Sequence, residues 1–165
     1  MLNVVILNGG RGAESIIPEL LKIKNIKLSS LVNAFDDGKS TGEIRFFFDM
    51  LGPSDIRKVQ KLFLPKKSKY YFNYKTLFDY RFPKKTTRKK AINIISSFFI
   101  KNNNVLNLKF EKNTYTLVKD SLKKFLEYLL ISEKIKNKKL NFSDCSLMNC
   151  VYAGLYIINN KNFSK

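Results

Sequence analysis

In the first third of the chain, apolar positions fall alternately in short solid runs and at helical spacing; beyond it, helical spacing dominates. Residues 4–7 (Val-Val-Ile-Leu) form a short, β-branched run that ends at Gly9, Gly10 and Gly12, the pattern of a buried strand feeding a tight turn. Ile16, Ile17, Leu20, Leu21 and Ile23 then recur at helical spacing, with Pro18 among them either opening the helix or bending its first turn. A second buried strand is expected over residues 28–35, closed by the turn signal Asp36-Asp37-Gly38. Strand, glycine loop, helix and strand in this order make a βαβ unit. The chain is therefore α/β, with a parallel sheet and ligand sites at the C-terminal ends of its strands.

Residues 41–50 can form a helix capped by Ser40 or Thr41. Residues 51–55 break it, and Ser54 or Asp55 can cap the next helix, which runs to about residue 64. Further on, 91–100 reads as helix, 102–104 as loop, and 105–110 with 115–118 as a possible strand pair. Residues 121–135 read as an amphipathic helix with Leu122, Phe125, Leu126, Leu129 and Leu130 on one face, and 146–158 as a final apolar helix. No internal repeat is evident. The expected organisation is one domain over residues 1–165, a motif-bearing βαβ unit in 1–57 followed by a basic, mostly helical remainder in 58–165.

Charge divides the chain along the same line. Of 31 basic and 13 acidic residues, seven of each lie in residues 1–57, leaving 24 basic and 6 acidic in 58–165. The net charge of +18 therefore belongs to the remainder. Its basic residues are overwhelmingly Lys, whereas nucleic-acid readers favour the bidentate fork of Arg. The charge runs read as a solvated face, and nucleic acid is not expected as a partner. No apolar run approaches the roughly 18–20 residues needed to span a bilayer. No basic residue precedes the run at 4–7, so no secretory signal is read there and a cytoplasmic location is expected. The chain has no histidine. That excludes Ser-His-Asp and Cys-His nucleophile systems and makes structural zinc very improbable. Cys145 and Cys150 read as buried small hydrophobes.

Candidate chemistry gathers at the turns. Asn8-Gly9-Gly10-Arg11-Gly12 lies between a strand and a helix, where small residues admit a ligand to the backbone and helix N–H groups face an anion. It matches neither the full dinucleotide fingerprint nor a Walker loop. Asp36-Asp37-Gly38-Lys39-Ser40-Thr41-Gly42 follows the second strand and should lie beside the first loop. Its carboxylates Asp36 and Asp37 could hold a hydrated Mg²⁺, with Ser40 and Thr41 offering hydroxyls to the ligand. Leu51-Gly52-Pro53-Ser54-Asp55-Ile56-Arg57 and Asp144-Cys145-Ser146-Leu147-Met148-Asn149 read most simply as helix starts.

Taken in order, Val4-Val5-Ile6-Leu7-Asn8-Gly9-Gly10-Arg11-Gly12, Asn33-Ala34-Phe35-Asp36-Asp37-Gly38-Lys39-Ser40-Thr41-Gly42, Leu51-Gly52-Pro53-Ser54-Asp55-Ile56-Arg57 and Asn149-Cys150-Val151-Tyr152-Ala153-Gly154-Leu155 resemble the 2-phospho-L-lactate transferase (CofD-like) family. Its other branch includes gluconeogenesis factors that bind nucleotide sugars. The resemblance implies a Rossmann-like parallel sheet flanked by helices that binds a nucleotide diphosphate with Mg²⁺. In the transferase branch, an acceptor hydroxyl attacks the phosphate bearing a lactyl group and a nucleoside monophosphate leaves. Carried onto this chain, Gly9, Gly10, Arg11, Gly12, Ser40, Thr41 and Asn149 would bind the nucleotide and its phosphates. Asp36, Asp37 and Asp55 would be the catalytic carboxylates, with Asp36 and Asp37 also holding the metal. The alternative is a non-catalytic module holding a nucleotide sugar as a regulatory ligand. A third, a basic nucleic-acid or membrane-surface protein, would act through residues 58–165. Two departures from the family pattern matter: Met148 stands where the last motif usually has glycine, and family members are typically about twice as long. The sheet is therefore expected to be incomplete on its C-terminal side. Exposed apolar residues on the last helix, Val151, Leu155 and Ile158, would then favour self-association or a second chain completing the domain.

Overall fold

A computed structural model describes residues 1–100 and 104–162. Strands β1 (Leu2–Asn8) and β2 (Ile26–Val32) pair in parallel, from Leu2 against Ile26 to Asn8 against Val32, and the crossover between them is helix α1 (Ala13–Leu20). The βαβ unit is as expected, with β2 beginning two residues earlier and ending at Val32, so that residues 33–38 form the loop. Helix α1 starts five residues before Pro18, which therefore does not open it. The missing proline N–H leaves the Glu14 carbonyl without its helical donor, and α1 ends two residues later.

One face of the sheet is covered. Ile6, Leu28 and Val32 pack with Ala13 and Ile17 of α1 and with Val59 and Leu62 of α3 (Pro53–Leu62). The residues of opposite parity stay bare on the other face, with Val5 60%, Leu7 80% and Leu31 59% exposed.

The larger core lies in the helices that follow: α2 (Lys39–Phe48), α4 (Tyr71–Asp79), α5 (Arg88–Ser96), α6 (Lys112–Ile135) and α7 (Leu147–Ile158). Phe48 stacks on Phe125, whose other neighbour Phe142 lies edge-on against Phe82. The 115–118 strand is overturned, because those residues lie in α6. Tyr115, Val118, Leu122, Phe125 and Leu129 continue one alternating three-and-four spacing, so the apolar stripe of α6 begins six residues before residue 121. Its presumed partner, 105–110, is an irregular segment. Asn104 holds it at both ends of Leu108, accepting from the Leu108 N–H at 2.8 Å and donating to the Leu108 carbonyl at 2.9 Å. Most of the expected loop at 102–104 lies outside the described residues. Leu130 sits one position off the stripe and is 53% exposed.

Helix α7 is better covered than expected. Val151 is buried and Leu155 packs on the core, because α7 lies directly against α6. Met148, in place of a glycine, fills the same core. The bare apolar surface falls on the sheet and not on α7, where only Ile158 of the three is exposed. Among the described residues no helix is long and apolar enough to cross a membrane.

Candidate functional site

Parallel pairing places the ends of β1 and β2 side by side, so the two motif loops leave the sheet at one edge. They meet at an open cleft of about 900 Å³. Gly9, Gly10, Arg11 and Gly12 form one wall, and Asp36, Gly38, Ser40 and Thr41 a second. The first two turns of α3 supply Ser54, Asp55 and Lys58, and Arg81 with Asp144 closes the far side.

Each wall has a local cause. Gly10 is buried against α3, and a Cβ there would stand 2.3 Å from Asp55 Oδ1 and 2.4 Å from Lys58 Cδ. A side chain there would have to displace Asp55 or Lys58 for the loop to reach that helix. At Gly12 a Cβ would meet no protein atom within 4 Å, so the space beside it opens on the cleft. Gly52 is pressed onto the second loop: its N–H donates to the Ala34 carbonyl at 2.8 Å, and a Cβ would come within 2.7 Å of the Asp36 carbonyl. That contact locks the start of α3 to the residues following β2.

The side chains expected as caps do other work. Neither α2 nor α3 has a side-chain cap; Gly38 and Gly52 hold those positions. Ser40 Oγ instead accepts from Arg81 Nη2 at 3.2 Å. Thr41, Ser54 and Asn149 form a buried file behind the cleft. Asn149 Nδ2 donates to Ser54 Oγ at 3.0 Å, Ser54 and Thr41 hydroxyls are 2.5 Å apart, and Thr41 Oγ1 donates to Asp36 Oδ2 at 3.5 Å. The direction is fixed at both ends, because an amide nitrogen only donates and an ionised carboxylate only accepts. Ser54 must therefore donate to Thr41. With the Gly38 N–H on Oδ1 at 2.9 Å, the Asp36 carboxylate is held by both oxygens.

The structure thus gathers Gly9, Gly10, Arg11, Gly12, Asp36, Ser40, Thr41 and Asp55, and separates two of the expected residues from them. Asp37 turns away to an ion pair with Arg45, so the adjacent carboxylates diverge. Asn149 is fully buried and reaches the cleft only through Ser54. Its Oδ1 has no partner among the described residues.

Lys58, Arg81 and Asp144 were not anticipated as site residues. Lys58 lies one helical turn after Asp55 and pairs with it at 2.7 Å. Arg81 Nε donates to Asp144 Oδ1 at 2.8 Å, and Nη2 to the Asp144 carbonyl at 2.6 Å. A signal for Arg81 was available: it is one of only two arginines after residue 57. Once these pairs form, Arg11 and Asp36 are the cleft charges without an ionic partner among the described residues. Behind the cleft, Arg57 is buried and donates to the Phe78 carbonyl at 2.6 Å. Burial, and then repulsion from Arg81, pull its ionisation below the ordinary arginine value.

The hydrogen bonds from Arg81 hold the Asp144 carboxyl below its ordinary value of 3.8; burial opposes the shift, and the charges of Arg81 and Lys84 add to it. A depressed carboxyl stabilises the fold in full above its unfolded value and stops doing so as pH falls through the folded one. Asp144→Asn is therefore expected to melt below the parent at pH 7. Thermal unfolding across acid pH should show that gap closing only below about pH 4.

Among the described residues, no three Asp, Glu, Cys or His side chains gather into a metal cage. Asp36 is the one cleft carboxylate without an ionic partner among the described residues, its oxygens oriented by Gly38 and Thr41. That suits Mg²⁺, which takes one or two carboxylates and completes its shell with water and ligand phosphates.

No solved structure matches the chain. Over 56 residues it is 46% identical to the Gluconeogenesis factor of Listeria monocytogenes serovar 1/2a, a stretch covering 34% of this chain and 17% of that protein. The Gluconeogenesis factor of Listeria innocua serovar 6a is 45% identical over a stretch of the same length and coverage. The family described as 2-phospho-L-lactate transferase CofD matches residues 4–130, from β1 through most of α6, and the chain belongs to that family.

Proposed function

We propose that the cleft binds a nucleotide diphosphate or its conjugate and supports transfer of a phosphate-linked group to an acceptor hydroxyl. The observation that carries this reading is the convergence of the glycine loop, Asp36 and the first turn of α3 on one sheet edge, with Arg11 uncommitted beside them. Free N–H groups at the start of α1 and the Arg11 guanidinium suit phosphate oxygens. In this reading Gly9, Gly10 and Gly12 admit the phosphates. Asp55 fixes Lys58 at their side, and Arg81 faces them from across the cleft.

Asp36, oriented by Thr41 and Gly38, would accept the hydrogen bond of the attacking hydroxyl. The acceptor oxygen forms a bond to the phosphorus that carries the transferred group, the bond from that phosphorus to the nucleoside monophosphate breaks, and the hydroxyl proton passes by way of Asp36 to water. Mg²⁺ held by Asp36 and the ligand's phosphates would neutralise charge on the phosphate oxygens. Asp37 is not needed for either role. A ligand of this kind is met in the cytoplasm, where we place the chain.

The two relatives are named as factors and not as transferases, which leaves room for a second reading, in which the same cleft holds a nucleotide-derived ligand without turning it over. Calorimetric titration with UDP and GDP, with and without Mg²⁺, tests the shared claim: saturable binding is expected, and its absence for both would overturn it. Release of a nucleoside monophosphate from a bound conjugate in the presence of an acceptor alcohol would then select transfer over simple binding.

A further inference from the structure

A second compartment, of about 600 Å³, adjoins the glycine-loop cleft, and the two share Ser40 and Asp144 in their walls. The partition is the guanidinium fork of Arg81, which is hydrogen-bonded to both residues. Its position is set by the backbone. The Asp144 N–H donates to the Phe82 carbonyl at 3.1 Å, the Phe82 N–H to the Cys145 carbonyl at 2.9 Å, and the Leu147 N–H to the Tyr80 carbonyl at 3.1 Å. The segments flanking Arg81 and Asp144 are therefore laced together, and the partition stands on a fixed base.

Beyond it the compartment is completed by Glu43, Lys84, Asn141 and Ser143. Most of its polar groups are already spent. Glu43 accepts from Lys138 Nζ at 3.0 Å and from the Asn141 N–H at 3.1 Å. Ser143 Oγ donates to the Lys84 carbonyl at 2.8 Å, and Asn141 Oδ1 accepts the Ser143 N–H at 2.9 Å. Among the described residues, the Lys84 ammonium and the Asn141 side-chain NH₂ remain without a hydrogen-bond partner. Both are donors and one is charged. Both carboxylates of the compartment are ion-paired, Glu43 with Lys138 and Asp144 with Arg81, so the unpaired Lys84 ammonium favours an oxygen-rich, anionic occupant.

We infer that this compartment receives an anionic, hydroxylated group attached to the ligand whose phosphates lie on the glycine loop, with Lys84 and Asn141 as specificity-determining residues. The inference rests on the nucleotide-diphosphate reading above and assigns the portion of the ligand beyond the phosphates. The carboxylate of an acid sugar and the phosphate of a sugar phosphate share this chemistry, and a carboxylate probe tests the first directly.

The experiment compares UDP, UDP-glucose and UDP-glucuronic acid by calorimetric titration, or GDP, GDP-mannose and GDP-mannuronic acid if GDP is the tighter binder. The acid conjugate is expected to bind about 10-fold more tightly than the neutral one. Lys84→Met should erase that preference while leaving affinity for the bare diphosphate within about twofold, since the exposed Lys84 lies outside the phosphate cleft. Asn141→Leu should weaken both conjugates relative to the diphosphate. Two results would overturn the assignment with the phosphate site intact: no preference by the parent chain for either the uronic acid or a phosphate-tailed conjugate over the neutral one, or a preference that survives Lys84→Met. If a phosphate-tailed conjugate shows the Lys84-dependent preference and the uronic acid does not, the carboxylate assignment is wrong and the anionic one stands. Failure of both bare diphosphates to bind is a different result, and removes the underlying functional reading instead.

Discussion

Gly10→Val is expected to lose nucleotide diphosphate affinity by about 100-fold or more, roughly 2.7 kcal/mol of binding free energy. The new side chain would enter space already held by Asp55 and Lys58, with its Cβ alone 2.3 Å from Asp55 Oδ1. Either the glycine loop withdraws from α3 or the Asp55–Lys58 pair breaks, and each outcome removes a wall of the cleft. Gly12→Ala separates ligand from scaffold. A Cβ there touches no protein atom within 4 Å, so thermal stability should stay within about 0.5 kcal/mol of the parent. Affinity should still fall, because the added methyl stands where the ligand is placed. Calorimetry and thermal melts on both variants check this, and unchanged affinity in Gly12→Ala would put the phosphates elsewhere.

The second large effect concerns the helical core. Gly154→Ala is expected to destabilise the chain by about 2–3 kcal/mol, lowering the melting temperature by roughly 4–12 °C. A Cβ at Gly154 would lie 1.8 Å from the Ser121 carbonyl oxygen and 2.5 Å from its carbon. The obstacle is backbone, so no rotamer relieves it and α6 and α7 must move apart. Alanine's better helix propensity offsets about 1 kcal/mol, which is smaller than the clash. Differential scanning calorimetry decides it; a melting temperature at or above the parent's would mean that the two helices are not packed this closely.

What could be read from the sequence followed physical locality. The βαβ unit was legible because β1, its glycine loop and α1 are each written in adjacent residues, and parallel pairing then forces Gly10 and Asp36 to the same edge. Caps were misread at Ser40, Ser54 and Asp55, because residues suited to capping a helix were satisfied across space, by Arg81, by Asn149 and by Lys58. Asp36 and Asp37 looked equivalent in sequence, yet Gly38 and Thr41 hold the first while Arg45 on α2 claims the second. Arg81 and Asp144 are 63 residues apart, and nothing local to either announces their pairing. The lysine-rich runs are partly structural as well: Lys136 pairs with Asp49, Lys138 with Glu43 and Lys139 with the buried Glu133. Neutralising those three together therefore tests local packing as much as surface charge.

The measurement that bears most directly on the cleft as a phosphate site is a crystal structure of the chain grown with UDP or GDP and Mg²⁺. Difference density for the diphosphate is expected against Gly10, Arg11 and Gly12, between Asp36 and Arg81. Well-defined diphosphate density on the lysine-rich helices, with the glycine-loop cleft empty, would contradict it.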